Sequence, residues 1–458
     1  MTSAHPDRMR AISQFHENPR VIAAWQRTAG PMLAWLTPAR RRALLLVGSA
    51  VVLLRKPARM IQSTGAEGAP DATLIPVTLL LLLGFLWLWY KVAQQYSRLP
   101  EAVRRRPQLA LHATFWALMA GLWLTSGATG AWRAAFVGLA IVLPFVLWRC
   151  GYMLLSAQRG RMAGTRFRDH LVYMFPLWGG TDTPYGKGLD YLSRCEARTA
   201  EALARSQLAG ARLIVLGLTW SAVGRAMDAT VYAVPDAARW PALALGVPHV
   251  AQLVNGVREA TLLSTWASIY CELVRDVLGL AARGHVIIGI LRLFGFNVFR
   301  NTYKPLLAES ISAFWNRYFY YFKELLSELF FMPVFARWFR GWNRLRLFVA
   351  VMAAAGFGNL YYHVLKQDEL LLAGDFEALW LRYRSRAVYC ALLAIGIFVS
   401  MLREQSRRGV PPPPGLHRRV IRIAGVWTFF GLIYIWHGNY GVDPWARAQF
   451  LLQLFGLA

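Results

Sequence analysis

Apolar runs of helix-spanning length alternate with short basic stretches along the 458-residue chain. A helix needs about 20 mainly apolar residues to cross the hydrocarbon core of a bilayer. LIPVTLLLLLGFLWLWY (74–90), LALHATFWALMAGLWL (109–124) and AFVGLAIVLPFVLW (135–148) approach that length and predict a multi-pass topology. Further spans are expected at ARLIVLGLTWSAVG (211–224), LLSTWASIYCELV (262–274), VIIGILRLFGF (286–296), LFVAVMAAAGFGNLYYHVL (347–365), AVYCALLAIGIFVSML (387–402) and VIRIAGVWTFFGLIYIW (420–436). ALLLVGSAVVLL (43–54) is short for a span and is bracketed by RRR and RKPAR.

The remaining pattern divides the chain. Residues 1–40 mix Phe, Trp and Leu with Arg and His, as an interfacial amphipathic segment does, and are expected to form a collar on the cytoplasmic side. Residues 41–158 hold the N-terminal spans, and 159–458 form the region where polar and apolar residues mix. PPPPG (411–415) cannot continue a helix and closes a loop before the span that follows. GGTDTPYGKG (179–188) is turn-rich and precedes the helix-like LSRCEARTAEALARSQLAG (192–210), which makes this stretch either a surface loop or a cap over a cavity.

Composition strengthens the membrane reading: 56% of residues are hydrophobic and only 16% are charged. The formal charge is +27, and of 51 basic residues six are lysine. These charges fall between the apolar runs, as in RRR (40–42), RLPEAVRRR (98–106), RGRMAGTRFR (159–168) and REQSRRG (403–409). That is the pattern of loops on an anionic leaflet, not of a nucleic-acid surface. The start, MTSAHPDRMRAISQFHENPR, lacks the apolar core of a signal peptide, so insertion is expected from internal helices. Cys150, Cys195, Cys271 and Cys390 form no C-x-x-C pair and the nine histidines are scattered, so neither a disulfide framework nor a metal site is expected.

Candidate chemistry concentrates in NTYKPLLAESISAFWNRYFYYFKELLSELFFMPVFARWF (301–339), too polar for a lipid-facing helix and too aromatic for a solvated loop. On a continuous helix Asn316, Tyr320, Lys323 and Glu324 would share a face, and polar groups at membrane depth face protein or a water-filled cavity. Downstream, Asn359 and His363 stand at i, i+4 after the small residues Ala353, Ala354, Ala355, Gly356 and Gly358, which let helices approach closely. A histidine there either hydrogen-bonds across helices or takes part in chemistry.

These stretches resemble the membrane-bound O-acyltransferase (MBOAT) family, above all its bacterial branch that acylates polymers such as alginate. GFNVFRNTYKPLLAESISAFWNRYF (295–319) is similar to the branch's G-F-x-x-P-x-N-F-x-x-P-Y run followed by S-I-x-x-F-W-R-R-W-H. MFPLWGGTDTPYGKGLDYL (174–192) resembles its F-P-x-x-x-x-G-P-I turn, and TFFGLIYIWHGNYGVDPWARAQFLLQLFG (428–456) its closing segment. The resemblance covers roughly residues 170–457 and implies an all-α, multi-pass protein of nine to twelve transmembrane or re-entrant helices around an acyl-transfer tunnel, with 159–458 as the catalytic core.

The resemblance implies transfer of an acyl group, acetyl included, from an acyl-CoA or acyl-carrier thioester to a hydroxyl acceptor (glycan, lipid or small molecule). It implies no bound cofactor and no nucleic-acid partner, and the Arg- and Ala-rich composition suits the inner membrane of a bacterium. Carried over, the catalytic pair is His363 as base and Asn316 as its partner, because Phe319 stands where the bacterial pattern has histidine. In GFGNLYYH the histidine lies one helical turn beyond its place in the family's G-L-W-H-G. Asn359, Tyr320 and Tyr362 would form substrate-binding walls; Lys304, Arg317 and Lys323 would meet donor phosphates or snorkel to the interface. The alternatives are a non-enzymatic transporter or lipid-handling protein and an inactive family member. A second histidine, in IYIWHGNYG (433–441), is expected at a membrane face: Gly438, Asn439, Gly441 and Pro444 end the helix, and Trp436 and Tyr440 suit an aromatic belt.

Overall fold

The computed structural model describes residues 14–63, 74–128, 130–175, 185, 187–235, 239–407, 410, 415–438 and 442–457. Expectations about residues 1–13, most of GGTDTPYGKG, the prolines 411–414, and Asn439, Tyr440 and Gly441 lie outside the described residues.

Among the described residues there is no strand, only an isolated antiparallel bridge between Glu196 and Phe296. Nine helices among the described residues reach 18 residues or more: α1 (Pro38–Ser63), α2 (Leu74–Gln94), α3 (Pro107–Leu124), α4 (Ala131–Gln158), α5 (Ala200–Thr230), α6 (Leu262–Leu293), α7 (Asn343–Val364), α8 (Phe376–Ser406) and α9 (Leu416–Tyr434). At 1.5 Å per residue, even the shortest is about 27 Å long, close to the hydrocarbon thickness. Five of them, α2, α4, α5, α7 and α8, are both long and apolar enough to cross a membrane. The chain is an all-α membrane protein.

Two expected spans, 262–274 and 286–296, are one helix, α6. The residues between them include Arg275, Asp276 and Arg283 but no proline, and Arg275 is neutralised on the helix surface by Asp228 (2.7 Å) and Glu272 (3.6 Å). Charge dilutes the hydropathy without breaking the helix. The basic run at 40–42 is likewise no plain loop cluster. It lies in the first turns of α1, where Arg41 is 2% exposed, and its Nη2 donates to the Ala197 carbonyl at 2.7 Å. Arg42 pairs with Glu196 through both carboxylate oxygens. These guanidiniums hold the turn that carries the bridge.

The chain forms two compact units, Met1–Leu216 with His285–Phe299, and Gly217–Gly284 with Arg300–Ala458, so the divisions fall inside α5 and α6. In the first unit α4 is buried nearly all round, as an apolar helix without a polar face must be. Gly138 lets it approach α2: a Cβ there would stand 2.6 Å from Thr78 Oγ1. Asn18 caps the amphipathic helix Pro19–Thr28 by accepting from the Arg20 amide (2.9 Å). Ile22 of this helix and Leu33 pack with Leu203, Ala204 and Leu208 of α5. Much of the apolar face expected to meet lipid is therefore covered by protein.

In the second unit α8 is the central helix, burying Cys390, Leu393, Ala394 and Ile397. A short helix, Ile311–Tyr318, packs against it. Its Phe314 stacks on Phe430 of α9 with ring centroids 3.9 Å apart, a pair worth about 1 kcal/mol beyond burial.

Candidate active site

The aromatic segment is not one continuous helix. Ser310 opens Ile311–Tyr318 by accepting from the Ala313 amide (3.1 Å), and the helix ends at Phe319, whose φ of −139° and ψ of 77° are not helical. A second helix, Tyr320–Leu326, follows. The shared face expected for Asn316, Tyr320, Lys323 and Glu324 is thus broken after Asn316. Residues Asn301–Tyr303 satisfy the backbone groups that the break frees. Tyr303 N donates to Arg317 O (2.8 Å), Thr302 Oγ1 to Tyr318 O (3.0 Å), Tyr320 N to Asn301 O (2.9 Å) and Tyr321 N to Asn301 Oδ1 (3.3 Å). Asn301 is 1% exposed. Asn301→Ala removes the side-chain acceptor of the Tyr321 amide and is expected to cost about 1 kcal/mol, seen as a lower Tm of the detergent-solubilised protein, whereas Tm within a degree or so of wild type would remove the brace from the account.

Two π-helical turns follow, Ser327–Phe331 and Met352–Gly358, and they pack on each other. Such turns recur at functional sites. Gly358 is required at this contact, since a Cβ would stand 2.8 Å from the Phe330 ring. Both turns contribute to the wall of a cavity of about 240 Å³, along with Asn316, Lys323, Trp315, Ile397 and Glu404. Asn316 is exposed and Glu404 is exposed near the end of α8, so they lie at its mouth. Glu404 Oε1 accepts from Ser310 (2.8 Å), Ser312 (2.5 Å) and Ser400 (3.4 Å).

His363 lines none of this cavity. It stands on the last helical turns of α7, half-buried, with its ring 6.1 Å from that of Phe322 and 5.5 Å from that of Tyr362. Among the described residues no hydrogen bond reaches its ring nitrogens. Its carbonyl accepts from Tyr383 Oη (3.0 Å), which in turn accepts from Gln367 Nε2 (2.7 Å). Arg386 and His437 lie near the His363 ring.

His437, expected at a membrane face, is half-buried with its ring packed on protein. Trp436 is 6% exposed in a core with Ile269, Ile435 and Leu454. The His437 ring stacks on Tyr434 and meets Tyr389 edge-on, each at 4.9 Å, while its carbonyl accepts from Arg386 (2.9 Å). The reason lies in the helix that follows, Pro444–Gln453. Asp443 caps it, and the Ala446 and Trp445 amides hold the Asp443 carboxyl below its ordinary range. Its fully buried Arg447 donates to the Ile435 carbonyl (2.7 Å) and closes the end of α9. From His437 the polar seam continues to Asp276, which accepts from Tyr318 (3.3 Å) and from Tyr434.

The other expected residues are dispersed. Asn359 (3% exposed) and Tyr362 (2%) are buried but do not line this cavity, with Tyr362 4.6 Å from Phe322. Lys323 pairs with Glu324 and lies 5.3 Å from the Tyr320 ring. Lys304 is exposed at a left-handed position (φ 48°), and Arg317 Nη1 donates weakly to Leu307 O at 3.4 Å. Asp276, Arg386, Ser400 and Glu404 were not anticipated. Ionisable residues inside an otherwise apolar helix, as at 272–276, are the signal that marks them. No protein-family model matches the chain, and no curated protein matches it.

Proposed function

We propose that the chain is an O-acyltransferase of a bacterial inner membrane, moving an acyl group from a CoA or carrier-protein thioester to a hydroxyl acceptor. The observation that carries the reading is the His363 ring: half-buried at the end of a candidate membrane helix, beside Tyr362 and Phe322, with both nitrogens uncommitted among the described residues. An imidazole in such a setting serves as a general base. In the proposed step an imidazole nitrogen takes the acceptor's hydroxyl proton as its oxygen attacks the thioester carbonyl carbon. The C–S bond then breaks, and the thiolate leaves with the proton returned by the imidazolium, giving an ester and a free thiol.

Water exclusion is part of the chemistry, since the same base would promote hydrolysis of the thioester. The aromatic walls of Phe322 and Tyr362 support that role. Asn316, on the cavity and not beside a ring nitrogen of His363, is assigned to holding substrate, and the exposed Lys304 and half-buried Arg317 to the phosphates of the donor. The motif order from 295 to 363 supports the same assignment. The test is thiol release by the purified protein from acetyl-CoA and from acyl-carrier thioesters. Release above the protein-free rate is expected with at least one donor class; background release with all of them would end the proposal.

A further inference from the structure

The cavity beside the π-helical turns carries an unused carboxylate. Every hydrogen bond to Glu404 falls on Oε1, from three serine hydroxyls, and no cation of the chain pairs with it among the described residues, although the chain bears a net charge of +27. Ser310 and Ser312 are themselves fixed: Ser310 caps its helix, and the Ser312 amide donates to Ser400 Oγ at 3.1 Å. The serines therefore orient the carboxylate and leave Oε2 available. Its place in the last turn of α8 adds the negative end of a helix dipole, which favours a cation further. The rest of the wall is mostly apolar, formed by Trp315, Phe331, Val351, Ile397 and Met401, with Ser327 and with Lys323, whose charge is paired with Glu324. Opposite chemistry at mouth and wall suits an amphiphile, and the volume of about 240 Å³ holds a compact head with the first part of an alkyl chain.

We infer that this cavity binds an amphiphile whose hydroxyl-bearing head carries a protonated amine, the ammonium meeting Glu404 and the hydroxyl lying on the Asn316 side. It is a binding site apart from the His363 ring, which does not line this cavity, and it stands independently of the acyl transfer proposed above. The binding itself rests only on the cavity.

The probes are N-dodecylethanolamine, which has both groups, and the dodecyl monoether of ethylene glycol, in which a neutral ether oxygen replaces the ammonium. Equilibrium retention of each radiolabelled probe by the protein in zwitterionic nanodiscs, with empty nanodiscs subtracted, reads the affinities. The amine is expected to bind about tenfold more tightly than the ether, as one charge-assisted hydrogen bond supplies, and Glu404→Gln to reduce the difference to within about twofold. Met401→Trp, which narrows the apolar wall without touching the carboxylate, is expected to weaken both probes alike. Equal affinity for the two probes in the wild type, or a preference that survives Glu404→Gln, overturns the inference. Both readouts are of binding and involve no acyl transfer, so this inference and the proposed function fail separately.

Discussion

His363→Ala is expected to lower acyl transfer at least about a hundredfold while leaving the protein folded, because a positioned general base contributes about 10²–10⁴ in rate. The ring makes no hydrogen bond among the described residues and is only half-buried, so its loss removes little packing. Wild-type elution on size exclusion and a Tm within a few degrees should accompany the loss of rate. His437→Ala is the necessary companion. Its ring is stacked on Tyr434 near the His363 ring, so it is the neighbouring histidine to compare. If His437→Ala loses the rate and His363→Ala keeps it, the base has been assigned to the wrong ring.

The largest structural effect is expected from Gly210→Leu in α5. A Cβ at Gly210 would stand 2.6 Å from the Gly289 carbonyl oxygen and 3.0 Å from the Leu293 amide nitrogen, and a Cβ at Gly289 would stand 2.6 Å from Ile214 Cγ1. Backbone cannot yield as a flexible side chain can. The helices must separate, at a cost of about 3 kcal/mol or more. Gly224→Leu on the same helix is the control, since nothing lies within 4 Å of its Cβ position. There, leucine replaces the poorest non-proline helix former and should be neutral or slightly stabilising. Expression yield and Tm in detergent compare the two. Similar behaviour of both variants would contradict the close crossing of α5 and α6.

The all-α membrane class was legible because 20-residue apolar runs admit few other structures. Helix continuity was not. Residues 275–285 read as a gap between spans because hydropathy counts Arg275 and Asp276 as breaks, whereas helix geometry asks only for absent prolines and tolerable pairing. The opposite error occurred at Phe319. Nothing in FWNRYFYYF forbids a helix, and the break depends on hydrogen bonds from Asn301–Tyr303, some 16 residues earlier. His437 illustrates a third limit. A Trp-His-Gly at a helix end reads as an interface, and the burial of Trp436 depends on the later helix, with Arg447 reaching back to Ile435. Glu404 was hidden in a basic run, where its i, i+4 relation to Ser400 and its contact with Ser312 could not be weighed as charge.

The most direct measurement is untargeted mass spectrometry of lipids, glycans and small metabolites from cells expressing wild-type protein, His363→Ala or none. Acyl transfer to a hydroxyl predicts one or more species heavier by an acyl group in the wild-type cells, absent from both other strains. Profiles without any acyl mass difference, or the same acylated species made by His363→Ala as fast as by the wild type, would contradict it.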